Sequence, residues 1–222
     1  MSLSIWKSVD HYFNTLLINE DPALQHAVQN SQDAGLPAIQ VAANQGKFLH
    51  LLAQIQGAKH ILEIGTLGGY STIWLARALP PNGKLISLEI NPHHADIAAQ
   101  NIAAAQLADR VEIQVGAALP SLEKLFDTHG TSFDFIFIDA DKQNNLYYFE
   151  WALKLAHVGT VIVVDNVVRR GEVANPDNHE PDVEGVRQLT DYLSREPRIS
   201  ATALQTVGEK SYDGFILARV IA

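Results

Sequence analysis

The sequence predicts an α/β fold, a mostly parallel sheet with helices on both faces, and three observations carry that reading. Five short apolar runs, Ile61 to Ile64, Leu85 to Leu88, Val111 to Val115, Phe133 to Ile138 and Val161 to Val164, alternate with helical stretches from residue 61 onward. They are apolar throughout rather than alternating, as strands covered on both faces are. Several stop abruptly at charge or glycine: Glu89 follows the second run, Asp139 the fourth, Asp165 the fifth, and Gly65 the first. At 222 residues the chain fits one domain, 1–222, with a full hydrophobic core.

Residues 1–58 precede this pattern and read as three helices, a helical appendage within the same domain. In the first, Ile5, Trp6, Val9, Tyr12, Phe13, Leu16 and Leu17 recur at helical spacing, which marks a packing face, either for the core or for another subunit. The second opens at Asp21-Pro22, a cap followed by proline at the first helical position, and stops near Gly35. An extended link, Leu36 to Val41, leads to a third helix carrying Phe48, Leu49, Leu51, Leu52 and Ile55.

Beyond the fifth run, Val167 to Asp182 is polar and contains Pro176 and Pro181, so it reads as a long loop, a candidate lid. A helix from about Val183 to Arg195 follows. The last segments, Ile199 to Val207 and Tyr212 to Ile221, flank Gly208-Glu209-Lys210-Ser211 and predict a β-hairpin closing one side of the sheet.

Composition narrows the function classes. No apolar run approaches the length of a membrane span, and the N-terminus lacks the basic and apolar regions of a secretory signal, so the expected location is cytoplasmic. Zero cysteines exclude disulfides and thiolate metal sites. A formal net charge of -9 argues against bulk nucleic acid as a partner, because neutralising phosphates takes clustered Lys and Arg.

Glu63-Ile64-Gly65-Thr66-Leu67-Gly68-Gly69-Tyr70-Ser71 forms a glycine-rich turn between strand and helix, where backbone amides can approach a ligand closely. Its spacing is Gly-x-x-Gly-Gly, not the Gly-x-Gly-x-x-Gly of dinucleotide sites. Glu89, at the end of the second strand, is placed to accept hydrogen bonds from ribose hydroxyls. Glu63 adds a negative charge beside the turn, which would repel a pyrophosphate but suits a cation, favouring S-adenosylmethionine over NAD. The competing reading is an ordinary strand-to-helix turn with solvated acids.

Phe133 to Lys142 is where the chemistry is expected. If Asn144 to His157 forms one crossover helix, the fourth and fifth runs are parallel neighbours about 4.8 Å apart, and Asp139, Asp165 and Asn166 converge. Three oxygen donors without cysteine or histidine suit a hard divalent cation, Mg²⁺, Mn²⁺ or Ca²⁺. Lys142 follows one turn later. Read separately, an acid at a strand end often caps the next helix, and Asp-Asn is a common turn pair.

These four motifs, Glu63 to Ser71, Leu88 to Pro92, Phe137 to Lys142 and Val164 to Asn166, together resemble those of the cation-dependent O-methyltransferases, the group of catechol and caffeoyl-CoA O-methyltransferases and their bacterial relatives. The resemblance runs in order from about Val41 to Ile221 and implies the Rossmann-like class I methyltransferase fold, seven strands with an antiparallel last one. By position, it assigns Asp139, Asp165 and Asn166 to the metal and Lys142 to catalysis. Glu63, Gly65, Thr66, Ser71 and Glu89 would hold S-adenosylmethionine, with Val41, Asp139 and the Gly116-Ala117-Ala118 turn as further members. It also implies a homodimer, which would give the apolar N-terminal helices a partner.

Departures from the family bear on the acceptor. Ala140-Asp141 looks like the plant and bacterial branch, yet only Lys7 and Lys47 are basic between residues 1 and 58, a poor grip for coenzyme A phosphates. The expected acceptor is therefore a small catechol-type phenol. Arg169 and Arg170 could pair with a carboxylate or phosphate on it, or form a solvated basic turn. Two alternatives stand beside this one: a relative that methylates 5-hydroxyuridine in tRNA, and a non-catalytic nucleoside-binding protein that kept the pocket.

Overall fold

The computed structural model describes residues 3–18, 21–130 and 132–222. Its centre is a seven-stranded sheet in the order β3-β2-β1-β4-β5-β7-β6. The strands are β1 (His60–Ile64), β2 (Lys84–Glu89), β3 (Val111–Val115), β4 (Phe133–Ile138), β5 (Ala156–Asp165), β6 (Ile199–Gly208) and β7 (Ser211–Val220). β1 to β5 pair in parallel, and β7 runs antiparallel to both β5 and β6. The expected hairpin and antiparallel last strand are therefore present.

Eight α-helices are described: α1 (Leu3–Leu17), α2 (Pro22–Asp33), α3 (Ala43–Gln56), α4 (Tyr70–Ala76), α5 (Pro92–Ala104), α6 (Ala118–His129), α7 (Asn145–Leu155) and α8 (Pro181–Arg195). Local chemistry sets their starts. Asp21 Oδ1 accepts the amides of Ala23 and Leu24 with Pro22 at the first position of α2, and Asn91 accepts from the His93 amide ahead of α5.

Two cores explain the uniformly apolar runs. Leu62, Ile64, Ile136, Ile138, Ile162 and Val164 face one side, against residues of α6, α7 and α8. Ile61, Leu85, Phe135, Phe137 and Val163 face the other, against α2 to α5. Successive side chains of a strand point to opposite faces, so a strand between two helical layers has no polar face.

Two expectations change in detail. The polar segment 167–182 is not a bare loop: Arg169–Ala174 is a tight turn kinked through the left-handed region at Arg170 and Gly171, and α8 begins at Pro181. Arg187 of α8 fastens it by donating to the carbonyls of Glu172, Val173, Asn175 and Asn178, so one guanidinium serves four acceptors that would otherwise need water. The face of α1 is likewise left off the chain's own core, with Ile5, Val9, Tyr12, Phe13, Leu16 and Leu17 exposed and Asp10 its buried residue. Among the described residues no helix is long and apolar enough to cross a membrane.

What positions the site is the strand order. From β1 the chain steps outward through β2 and β3, then returns to the other side of β1 for β4 and β5, which opens a crevice at the carboxyl ends of β1 and β4. Register puts Ile64, Leu88, Ile138 and Val164 in one row across four strands. The next row is Glu89, Gly65, Asp139 and Asp165, the residues at which the apolar runs stop.

Candidate active site

Gly65 is the hinge of this row. Its amide donates to the Leu88 carbonyl at 2.9 Å and its φ is +99°. A Cβ there would fall on the Asp139 carbonyl oxygen, so only glycine lets the first turn lie against the end of β4. At Gly68 a Cβ would meet the Ser31 side chain of α2 rather than backbone.

Glu63 lies beneath the turn and is fully buried. Its Oε1 accepts from Ser71 Oγ at 2.6 Å, and its Oε2 from Thr72 Oγ1 at 2.5 Å and Ser87 Oγ at 2.7 Å. Thr66 Oγ1 joins this network through Ser87 at 2.6 Å. Burial pushes the Glu63 carboxyl up to about 7 although the three hydroxyls pull it down, and the charge of Asp139 adds to the rise. Glu63 is not on the cavity wall; Ser71, to which it is bonded, is.

Glu89 is engaged by the same turn. Oε2 accepts the amides of Thr66 at 3.1 Å and Leu67 at 2.8 Å, and Oε1 accepts the Asn91 amide at 2.9 Å. The acid at the end of β2 thus shapes the turn after β1 as well as facing the crevice.

At the other end, Lys142 Nζ donates to Asp139 Oδ1 at 2.8 Å, and Lys142 is buried. Its carbonyl is covered by α8, where a Cβ on Gly185 would collide with it. Asp165 is buried too; Oδ1 accepts the Asn166 amide at 2.8 Å and Oδ2 accepts from Gln45 Nε2 of α3 at 2.7 Å. Burial, and then the charge of Asp139, raise the Asp165 carboxyl to about 7, opposed by Lys142. Asn166 sits in the left-handed region at φ +56°. Asp141 turns aside from Lys142: its carboxylate accepts from Tyr148 Oη at 2.5 Å and from the Asn144 amide group.

Two cavities meet here. One, of about 570 Å³, is lined by Gly65, Ser71, Glu89, Gly116, Asp139 and Lys142 among others. The other, of about 1080 Å³, runs from Asp165 past Phe48 and Phe215 to the tip of the β6–β7 hairpin. Ile39, Gln40, Val41, Asn166 and Arg169 line both and form the seam.

Asn166 and Val41 are on that seam, while Asp139 and Lys142 line the smaller cavity and Asp165 the larger. Gly116 and Ala118 line the smaller cavity, whereas Ala117 between them does not. Arg169 is engaged with Asp182 at 2.9 Å, while Arg170 is exposed on the larger cavity's wall. Both stand at positive φ, +53° and +58°, held by Asp213, which accepts the amides of Val168 and Arg169. Sequence reasoning missed Gln45, Thr72 and Ser87. Ser87 was findable: a lone polar residue inside an apolar strand needs a partner, and it pairs across from Glu63. Gln45 carries no such signal, since glutamine on an amphipathic helix reads as surface.

The donor set fits a hard divalent cation. Among the described residues no three His, Cys, Asp or Glu side chains cluster; the oxygen donors at these strand ends are two carboxylates, Asp139 and Asp165, near enough for the charge of one to act on the other, and the amide of Asn166 beside Asp165 in the chain. Asp139 and Asp165 on adjacent strands repel each other, which is part of why the Asp165 carboxyl rises, and added positive charge between them would relieve both.

Comparison with known proteins identifies the family. A family model described as O-methyltransferase matches residues 15–221. A catechol O-methyltransferase of Niastella koreensis is 51% identical over 220 residues, covering 99% of this chain and 100% of that one. Among solved structures, an O-methyltransferase from Bacillus cereus in complex with SAH has a TM-score of 0.97 at 56% identity, covering 99% of this chain and 100% of that one. The O-methyltransferase TomG of Streptomyces achromogenes, involved in tomaymycin synthesis and in complex with SAM, has a TM-score of 0.97 at 49% identity, covering all of both chains.

Proposed function

The chain belongs to the S-adenosylmethionine-dependent O-methyltransferase family, and from that premise we propose that it methylates one hydroxyl of a catechol-type acceptor with a divalent cation at Asp139, Asp165 and Asn166. One observation carries the reading: two adjacent strands end in acids, Asp139 on the smaller cavity beside a buried lysine and Asp165 on the larger, with Asn166 lining both. Mg²⁺ is the expected ion, with Mn²⁺ or Ca²⁺ also compatible with three oxygen donors. When bound, the cation supplies Lewis acidity that eases loss of a proton from the acceptor hydroxyl.

The protein's own groups do the rest. Lys142 Nζ, fixed by Asp139 and by the turn beneath Gly185, receives that proton as the neutral amine, after its ammonium has released one proton to solvent, and becomes ammonium again. The smaller cavity takes the cofactor, with Gly65, Thr66, Ser71, Glu89 and the Gly116-Ala117-Ala118 turn around it and Val41 over the seam. Glu63 acts from below through Ser71, its charge favouring a sulfonium. Holding acceptor oxygen and methyl carbon in line is worth up to roughly 7 to 11 kcal/mol in model reactions, and the narrow seam serves that purpose. Arg170 would meet an anionic group of the acceptor in the larger cavity, Arg169 being paired with Asp182.

The catechol O-methyltransferase relative at 51% identity supports this acceptor class. Methyl transfer from labelled S-adenosylmethionine to a panel of vicinal diols with Mg²⁺ tests it: turnover is expected with catechols and lost in EDTA, and undiminished activity in EDTA would refute the cation's role. A tRNA arm, expected to be inactive, separates the nucleic-acid alternative. The same reading makes the chain a homodimer covering the apolar face of α1, which light scattering decides.

A further inference from the structure

We propose that Gln45 of α3 is a positioning residue of the cation site, fixing the plane of the Asp165 carboxylate from across the cavity; this rests on the cation reading above. The last torsion of an aspartate is soft and roughly two-fold, so hydrogen bonds decide which way its carboxylate turns. Among the described residues Asp165 has two, one on each oxygen. The Asn166 amide on Oδ1 belongs to its own chain neighbour. Gln45 Nε2, 2.7 Å from Oδ2, comes from another helix 120 positions away and is the one side chain that holds this group. A carboxylate only accepts, so the amide nitrogen of Gln45 and not its oxygen faces Asp165. Two of about four acceptor positions are then taken, and two are left for an ion.

Gln45 is itself held on both sides. Asn44 Oδ1 accepts the Gln45 amide at 2.8 Å, while Asn44 Nδ2 donates to Asp10 Oδ1 at 2.9 Å. Asp10, the buried residue of α1, takes the Glu209 amide on Oδ2 at 2.7 Å, which ties this turn to the β6–β7 hairpin. On the other side Gly46 lies flush on α4, where a Cβ would fall on the Trp74 indole. The start of α3 is thus anchored on either side of the amide that reaches Asp165. Being neutral, that amide aims the carboxylate without cancelling its charge, as the outer partner of a metal ligand does. Gln45 lines the larger cavity with Asp165 and is not on the wall of the smaller one, so its loss should be felt by the ion and not by the cofactor.

Gln45→Met keeps the length of the side chain and removes the donor. Mn²⁺ binding to the full chain is followed by electron paramagnetic resonance, and SAH binding without metal by calorimetry. Mn²⁺ affinity should fall about tenfold or more, the usual consequence of losing an outer partner of a metal ligand. SAH affinity should stay within about twofold, and methyl transfer should recover toward the unaltered rate as Mn²⁺ is raised. Equal Mn²⁺ affinity in Gln45→Met and the unaltered protein would overturn the assignment and leave the cation reading standing. A parallel loss of SAH affinity would also overturn it, because Gln45 would then only fasten α3 to the sheet. If the unaltered protein binds no Mn²⁺, the cation reading itself falls and takes this assignment with it.

Discussion

Glu63 and Glu89, at the β1–β2 end of the crevice, have every carboxylate oxygen engaged by hydroxyls or amides of the protein. Asp139 and Asp165, at the β4–β5 end, are arranged differently: two acids on adjacent strands, with one ammonium on Asp139 and two neutral donors on Asp165. Neutral donors fix geometry without cancelling charge, so the first end is built before any ligand arrives. At the second end Asp139 accepts one hydrogen bond, on Oδ1 from Lys142, so among the described residues its other oxygen is left for a ligand, and two acids against one ammonium leave net negative charge that a cation would balance. The two regions should therefore respond oppositely to substitution. Damage at β4–β5 should cost chemistry with the cofactor still bound, and damage at β1–β2 should change cofactor affinity and stability first.

The largest effect is expected from Asp139→Asn or Asp165→Asn. Each removes one of two charges that would hold the cation, and a loss of several kcal/mol in transition-state stabilisation is at least about a thousandfold in kcat/KM. For Asp165→Asn, SAH affinity by calorimetry should change no more than about threefold, since Asp165 does not line the smaller cavity. A parallel collapse of SAH binding would break the division between the two ends.

Lys142→Met comes next. Losing a positioned general base costs about 10² to 10⁴ in rate, and Mn²⁺ binding, read by electron paramagnetic resonance, should survive because Lys142 donates to Asp139 but is no oxygen ligand. Gly185→Ala tests the same group from behind. Its methyl would push on the Lys142 carbonyl, so kcat should fall with little change in SAH affinity.

Much of this was legible before any coordinates, for a reason that can be stated. A strand buried on both faces has no use for charge, so the stops at Gly65, Glu89, Asp139 and Asp165 mark one row of the sheet, and parallel register aligns them. Contacts that depend on remote partners were not legible. Nothing in Gly185 itself announces that α8 lies against residue 142, and nothing in Gln45 that it reaches Asp165. Arg187 could not be read as the clasp of segment 167–182, because a carbonyl acceptor has no sequence signature. The periodicity of α1 fixed a face but not what covers it. Glu63 was singled out as a charge beside the turn, whereas its full burial beneath the cavity wall follows from strand alternation around it rather than from the motif.

Glu63→Gln sharpens the contrast through pH. The folded carboxyl sits at about 7, above its ordinary 4.5, so its contribution to stability is present in full below pH 4.5 and is lost as pH rises through 7. Over that window the change is on the order of 3 kcal/mol. Chemical denaturation from pH 5 to 8.5 should show the unaltered chain losing stability relative to Glu63→Gln. Taking the difference between the two chains removes the similar contribution of Asp165. Affinity follows the opposite slope: S-adenosylmethionine, a cation, should gain on SAH as Glu63 ionises, and the gain should vanish in the variant. Identical pH profiles for both ligands would mean that the buried charge does not reach the sulfonium.

The smallest effect is expected in the outer cavity, from Arg170. Arg169 spends its guanidinium on Asp182, whereas Arg170 is exposed, so of the pair Arg170 is the one positioned to greet a carboxylate on the acceptor. An exposed ion pair is worth about 0.2 to 1 kcal/mol, so Arg170→Gln should lower kcat/KM for a dihydroxybenzoate by no more than about fivefold and leave neutral catechol unchanged. Raising ionic strength should shrink the difference between the two acceptors in the unaltered protein and have little effect on it in the variant. If neutral catechol is affected as strongly as the acid, Arg170 serves the strained 166–171 backbone rather than the acceptor, and the charge contrast between the two ends stops at the seam.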